Sequence, residues 1–128
     1  MLGVNPQTVC YIIGKAHEFH AKEEVVIPET PNESADDWAL QVLADHVDDP
    51  TYNELKDAID SMDSEQQCNL VALMWVGRGD FSEQEWEAAL EEARDNWTRH
   101  TAEYLIGTPL VADYLEEALS MLGYSCEE

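Results

Sequence analysis

Basic side chains are scarce in this sequence. Lysine and arginine account for 6 of the 128 residues, whereas aspartate and glutamate account for 28, so the formal net charge is −22. A surface with this charge repels DNA, RNA and anionic lipid, which excludes direct nucleic-acid binding through a basic face. The carboxylates could instead serve a basic protein partner or a cation, or they could serve solubility without any specific partner.

Long apolar runs are missing as well. The longest, Leu70 to Val76, is far shorter than the about 20 residues that span a bilayer. The N-terminus lacks a basic stretch followed by a long apolar segment, so no secretory signal is predicted. We therefore expect no membrane association and a cytoplasmic location.

Cysteines are few and widely separated. Cys10, Cys68 and Cys126 form no CxxC pair, and an odd, dispersed set is typical of free thiols in a reducing compartment. Cys10 and Cys68 are predicted on buried helix faces, where thiols are inert. Cys126 is expected to be exposed, with no histidine near it in sequence. No catalytic residues and no cofactor are predicted, so a non-enzymatic role is favoured while an enzyme stays open.

Signals for helix starts are frequent. A capping residue precedes a proline, a pair typical of a first helical turn, at Asn5-Pro6, Asp49-Pro50 and Thr108-Pro109. Asp63 with Gln66, and Ser82 with Glu85, have the spacing of capping boxes. These signals divide the chain into short helices.

Apolar residues recur at the 3.6-residue spacing of helices over most of the chain. The run at 70–76 is apolar on all sides and predicts a helix through the centre of the domain, ended by Gly77 and Gly79. The next helix has a predicted buried stripe of Trp86, Leu90, Ala93 and Trp97.

The fold class that follows is all-α. We predict a compact, irregular array of six to seven short helices in a single domain over residues 1–128. An irregular loop is predicted at about 23–34, where two prolines and an acidic pair interrupt the helical period. A further helix is expected from near Ser34 to His46.

Several segments of the sequence resemble a known family. They are LVALMWVGRGDF (70–81), the Glu85-Trp86 pair and TAEYLIGTPLVADYLEEALSMLGYSCEE (101–128). DDPTYNELKDAID (48–60) and the first helix fit its longer members. The family consists of small bacterial proteins and is catalogued only as a domain of unknown function. The resemblance implies a bacterial, cytoplasmic protein and no particular activity, ligand or catalytic residue.

The predicted helix at 83–97 carries an acidic stripe. Glu83, Glu87, Glu91 and Asp95 are each four residues apart, and like charges at that spacing destabilise a helix by roughly 0.2–0.5 kcal/mol per pair. One interpretation is a docking face for a basic partner. The other is a solvated outer face opposite the Trp86 stripe.

Histidines and acids offer a weak metal site. His17 and His20 lie three residues apart on the first helix, which differs from the spacing of four in metalloprotease helices. They could share a metal with nearby carboxylates such as Glu18 or Glu23, or simply interact with the negative end of the helix dipole. The acids around His46, namely Asp45, Asp48 and Asp49, lack the alternating spacing of an EF-hand loop.

Arg78 is a candidate for anion binding. It lies between Gly77 and Gly79, and such a turn can direct backbone N–H groups towards an anion. No GxxxxGK or GxGxxG pattern follows, so no nucleotide motif is present. The alternative is a helix stop in which Arg78 pairs with a nearby carboxylate.

Three functional hypotheses remain open at this point. The first is a protein-interaction or regulatory module that binds a basic partner through the acidic stripe. The second is a divalent-metal protein or enzyme that uses His17, His20 and nearby carboxylates. The third is a nucleic-acid mimic, whose carboxylates imitate phosphates to block a DNA-binding protein. Homodimer formation is compatible with each of them.

Overall fold

All regular secondary structure in the described part of the chain is helical. The computed structural model describes residues 2–23, 49–108 and 110–126, without the side chains of residues 20, 22 and 23. Within these residues there are six α-helices, one 3-10 turn and no strand. They are α1 (Pro6–Glu23), α2 (Pro50–Asp60), α3 (Ser64–Arg78), the 3-10 turn (Glu83–Glu85), α4 (Trp86–Asp95), α5 (Thr101–Ile106) and α6 (Val111–Met121).

The all-α prediction is therefore confirmed. The first helix extends to Glu23, the residue at which the predicted loop begins. The remainder of the loop predicted at about 23–34 lies outside the described residues, as does the helix predicted from near Ser34.

Most of the predicted helix starts are present. The Asn5 carboxamide oxygen accepts a hydrogen bond from the Gln7 N–H at 2.8 Å, and Asp49 accepts from Thr51 at 2.8 Å. The capping box of Asp63 and Gln66 is complete, since each side chain accepts from the other residue's N–H. Each cap satisfies backbone donors that have no partner within the helix.

The helix start predicted at Thr108-Pro109 is wrong. α6 begins at Val111, and its N-cap is Leu110, which has a left-handed φ of 63°. The Thr108 hydroxyl donates instead to the Tyr104 carbonyl at 2.8 Å. Thr108 thus serves the end of α5 rather than the start of α6.

The centre of the fold is α3, as predicted. It packs mainly against α6 and α4, while α1 packs against α6 and α2, and α2 against α5. Between Leu70 and Val76 only Trp75 is not fully buried. A helix that is apolar on all sides needs such neighbours to cover it.

The two glycines near the end of α3 have different roles. Gly79 ends the helix with a left-handed φ of 98°, as predicted. Gly77 lies inside the helix, where a Cβ atom would lie 1.8 Å from the Tyr114 carbonyl oxygen of α6. The prediction that Gly77 ends the helix is therefore wrong, and its small size lets α3 and α6 approach.

The buried stripe on α4 is shorter than predicted. Trp86, Leu90 and Ala93 are buried, but Trp97 is 42% exposed. α4 ends at Asp95, so Trp97 does not continue the helical face. Its indole N–H donates to the Gln67 carboxamide oxygen at 2.6 Å, and this bond holds the ring at the edge of the core.

The cysteine prediction is also wrong in part. Cys10 of α1 and Cys126 form a disulfide across 116 positions of the chain. Cys68 is a free, buried thiol, and burial raises its pKa, consistent with an inert role. Two of the three cysteines predicted to be free thiols are therefore bonded to each other.

Candidate functional site

The acidic stripe lies on the outer side of α4. Glu87, Glu91 and Asp95 belong to α4 and Glu83 to the 3-10 turn before it, and all four side chains are exposed. These four residues are called the α4 acidic row. The inward side of α4 is buried in the core, so the helix presents the row from a fixed position.

The α4 acidic row forms no direct ion pair with a described basic side chain, although the charge of Arg94 interacts with that of Glu87. Within the described parts of the chain, no basic side chain lies within 4.0 Å of any of its carboxylates. Arg94, on the same helix, donates instead to Glu65 of α3 at 3.0 Å. That hydrogen bond lowers the pKa of Glu65 and raises the pKa of Arg94.

Arg78 is engaged within its own turn. Its Nε and Nη2 donate to the same Asp80 oxygen at 2.9 and 2.6 Å. Burial lowers the pKa of Arg78, but the hydrogen bond with Asp80 and the nearby Tyr104 outweigh it and raise the pKa overall. This agrees with the ion-pair interpretation of the turn, and anion binding at Arg78 stays a prediction.

His17 has neighbours that its own helix does not supply. Its Nε2 lies 3.5 Å from an Asp113 carboxylate oxygen of α6. One ligand atom each from His17, Asp113 and Glu116 lies within 4.8 Å of the other two. The side chain of His20 is outside the described atoms, so the predicted His17–His20 pair stays a prediction.

The other acids predicted near His46 give little to describe. Residues 45, 46 and 48 lie outside the described residues, and Asp49 caps α2.

Two cavities flank the group of His17, Asp113 and Glu116. A cavity of about 490 Å³ lies between α6 and the C-terminal segment, and its lining includes Asp113, Glu116 and Cys126. A smaller one, about 70 Å³, is lined by residues that include His17 and Asp113. Arg78 lines neither.

A buried carboxylate was missed by the sequence reasoning. Glu103 of α5 is 7% exposed, and its Oε2 lies 3.5 Å from the Lys56 ammonium of α2. Its Oε1 has no hydrogen-bond partner in the described structure; the His100 ring lies 3.9 Å away. Burial, and then the Glu103 charge, raise the pKa of Tyr52. The one available signal was a single acid in the apolar stretch 102–106.

Comparison with known proteins identifies a family. Residues 52–124 match the family model described as "Protein of unknown function (DUF3775)". The chain belongs to the DUF3775 family. No curated protein and no solved structure matches it.

The DUF3775 match covers some of the candidate residues and not others. It contains the α4 acidic row, Arg78, Asp113 and Glu116, whereas α1, with His17, precedes it. The match includes the resembling segments at 70–81, at Glu85-Trp86, at 101–124 and at 52–60, and the fit of the first helix stays a prediction. None of the described helices is long and apolar enough to cross a bilayer.

Proposed function

We propose that this chain is a protein-interaction or regulatory module that binds a basic protein partner through the α4 acidic row. The observation that carries the proposal is the exposure of all four carboxylates without an ion pair to any described basic side chain. Carboxylates at helical spacing repel one another, at a cost of roughly 0.2–0.5 kcal/mol per pair. A partner's lysines or arginines would relieve that repulsion.

The position of α4 supports this role. Trp86 and Leu90 are 3% and 5% exposed, so the helix is fixed to the core and its carboxylates need little ordering when a partner binds. A binding surface that is ordered in advance loses less entropy on association. The row would attract a basic partner over a distance of about 10 Å, the screening length at moderate salt.

A partly exposed aromatic ring lies next to the row in sequence. Trp97 follows Asp95 by two positions, and its hydrogen bond with Gln67 restrains the ring. Tryptophan is enriched among the residues that contribute most to protein interfaces. Trp97 would supply apolar contact beside the charged contacts of the row.

Charge-matched variants test the proposal. Proteins retained from cell lysate by immobilised wild-type chain are compared with those retained by Glu87→Gln/Glu91→Gln. The control, Asp57→Asn/Glu117→Gln, removes the same charge from two other exposed carboxylates. We expect a partner that the wild type and the control retain, that the row variant loses, and that high salt releases. Equal retention by both variants would contradict a role for the row.

The nucleic-acid mimic is a special form of the same proposal. It requires that the retained partner be a DNA-binding protein and that duplex DNA compete for it. A bacterial setting is part of the proposal as well. The Cys10–Cys126 disulfide argues against the cytoplasm unless the bond is transient.

A further inference from the structure

Two helices bring a nitrogen donor and two carboxylates together on the side of the fold where α1 meets α6. Asp113 and Glu116 are three residues apart on α6, so their side chains emerge next to each other. His17 of α1 faces them, because α1 and α6 pack together. The donors come from distant parts of the sequence, which distinguishes this group from a chance cluster of acids on one helix.

The separations of the donor atoms suit a metal ion. Two donors bound at about 2.1 Å in tetrahedral geometry lie about 3.4 Å apart. His17 Nε2 and the Asp113 oxygen are 3.5 Å apart, and all three donor atoms lie within 4.8 Å of one another. All three side chains are exposed, so small rotations of Glu116 can shorten its distances to the other donors.

The charges at this position also favour a cation. Among the described residues, no lysine or arginine forms an ion pair with Asp113 or Glu116, and His17 is the one basic neighbour. A dication would neutralise the charge of the two carboxylates, and the imidazole adds a nitrogen donor. The imidazole favours zinc and its neighbours in the transition series over magnesium or calcium, which prefer oxygen donors alone.

Two cavities adjoin the group. The cavity of about 490 Å³ is lined by both carboxylates, and the smaller cavity by His17 and Asp113. Three protein ligands leave at least one coordination position of a tetrahedral ion open. Water or a small ligand could occupy that position from the larger cavity.

We propose that His17, Asp113 and Glu116 bind one divalent transition-metal ion and thereby link α1 to α6. The site uses different residues and different helices from the α4 acidic row. Binding of a basic partner through that row neither requires the metal nor follows from it.

Calorimetric titration with ZnCl₂ tests the site. The variants His17→Gln and Asp113→Asn each remove one donor, and the matched controls His100→Gln and Asp57→Asn remove a histidine and an exposed carboxylate elsewhere. We expect one zinc ion per wild-type chain, an affinity at least about tenfold weaker in each site variant, and unchanged affinity in the controls. A parallel titration with MgCl₂ should show weaker binding that depends little on His17.

Nonspecific attraction of zinc by the net charge of −22 predicts a different result. Zinc would then bind with the same affinity to site variants and controls, and this outcome would overturn the proposal. Far-UV circular dichroism checks that each variant is folded. As a second readout, the His17 ring signals in NMR should shift on addition of zinc in the wild type and in Asp57→Asn; unshifted ring signals would also count against the site.

Discussion

At the scale of single residues, small and polar side chains determine how α3 packs among its neighbours. Gly77 allows the α6 backbone to approach. The buried carboxamide of Gln67 donates to the Ile59 carbonyl at 2.9 Å and accepts from Trp97. Asn69, 1% exposed, accepts from the Gly3 N–H at 2.8 Å. These buried groups form hydrogen bonds that offset the cost of removing them from water.

A single added methyl group should separate α3 from α6. In Gly77→Ala, the new Cβ atom would lie 1.8 Å from the Tyr114 carbonyl oxygen, and a backbone atom cannot move away without shifting its helix. Overpacking of this kind costs typically about 1–3 kcal/mol, occasionally more. Urea unfolding followed by circular dichroism should show a lower midpoint.

The matched control for this prediction is Gly14→Ala. Gly14 lies in α1, and an added Cβ atom there has nothing within 4 Å. Alanine should therefore stabilise the helix by roughly 0.5–1 kcal/mol. Equal free energies of unfolding for Gly77→Ala and Gly14→Ala would contradict the close approach of α3 and α6.

Residue-scale errors of the sequence analysis have a common cause. Gly77 and Trp97 were placed by local pattern, as a helix stop and as the end of a buried stripe. The first depends on a carbonyl of α6, and the second depends on where α4 ends. A local pattern shows neither the position of the α6 carbonyl nor the residue at which α4 ends. It therefore identifies Gly77 and Trp97 as structurally important but does not predict what each residue does.

At the scale of elements, helix starts were the most predictable features. Asn5, Asp49 and Asp63 each accept hydrogen bonds from N–H groups two or three residues later. Such bonds depend only on residues close in sequence, so a local sequence pattern is enough to predict them. Thr108 was the exception because its hydroxyl bonds backwards to the Tyr104 carbonyl, a choice that the pattern does not determine.

The capping box at the start of α3 should contribute measurably to stability. Asp63→Ala removes the acceptor of the Gln66 N–H hydrogen bond, which has a length of 2.8 Å. The expected loss is about 1 kcal/mol, within a range of roughly 0.5–2. Asp63→Asn keeps an acceptor at the same position and should retain most of the stability. Thermal unfolding of the two variants distinguishes the cap from the charge, and equal losses would assign the effect to the charge.

At the scale of the whole molecule, contacts between distant residues were beyond prediction. The fold class and the central helix followed from periodicity, and the exposure of the α4 acidic row followed from the position of the row opposite a buried stripe. The approach of His17 to Asp113 and of Lys56 to Glu103 required the packing of whole helices. Sequence reasoning therefore found one donor of the proposed metal site, His17, without its carboxylates.

The bond between Cys10 and Cys126 gives a prediction about the entire chain. Because the disulfide joins residues 116 positions apart, it restricts the unfolded chain strongly, and a bond of this kind typically contributes about 2–4 kcal/mol. Thiol titration in denaturant without reductant should detect one free thiol per chain, Cys68, and all three cysteines after reduction.

Urea unfolding tests the contribution of the disulfide to stability. Cys10→Ser/Cys126→Ser should lower the urea midpoint of the non-reduced protein, and dithiothreitol should no longer change that midpoint. The control Cys68→Ala keeps the disulfide, so its midpoint should still fall on reduction. Three free thiols in protein purified in air would contradict the disulfide and restore the reducing compartment that the cysteine spacing predicted.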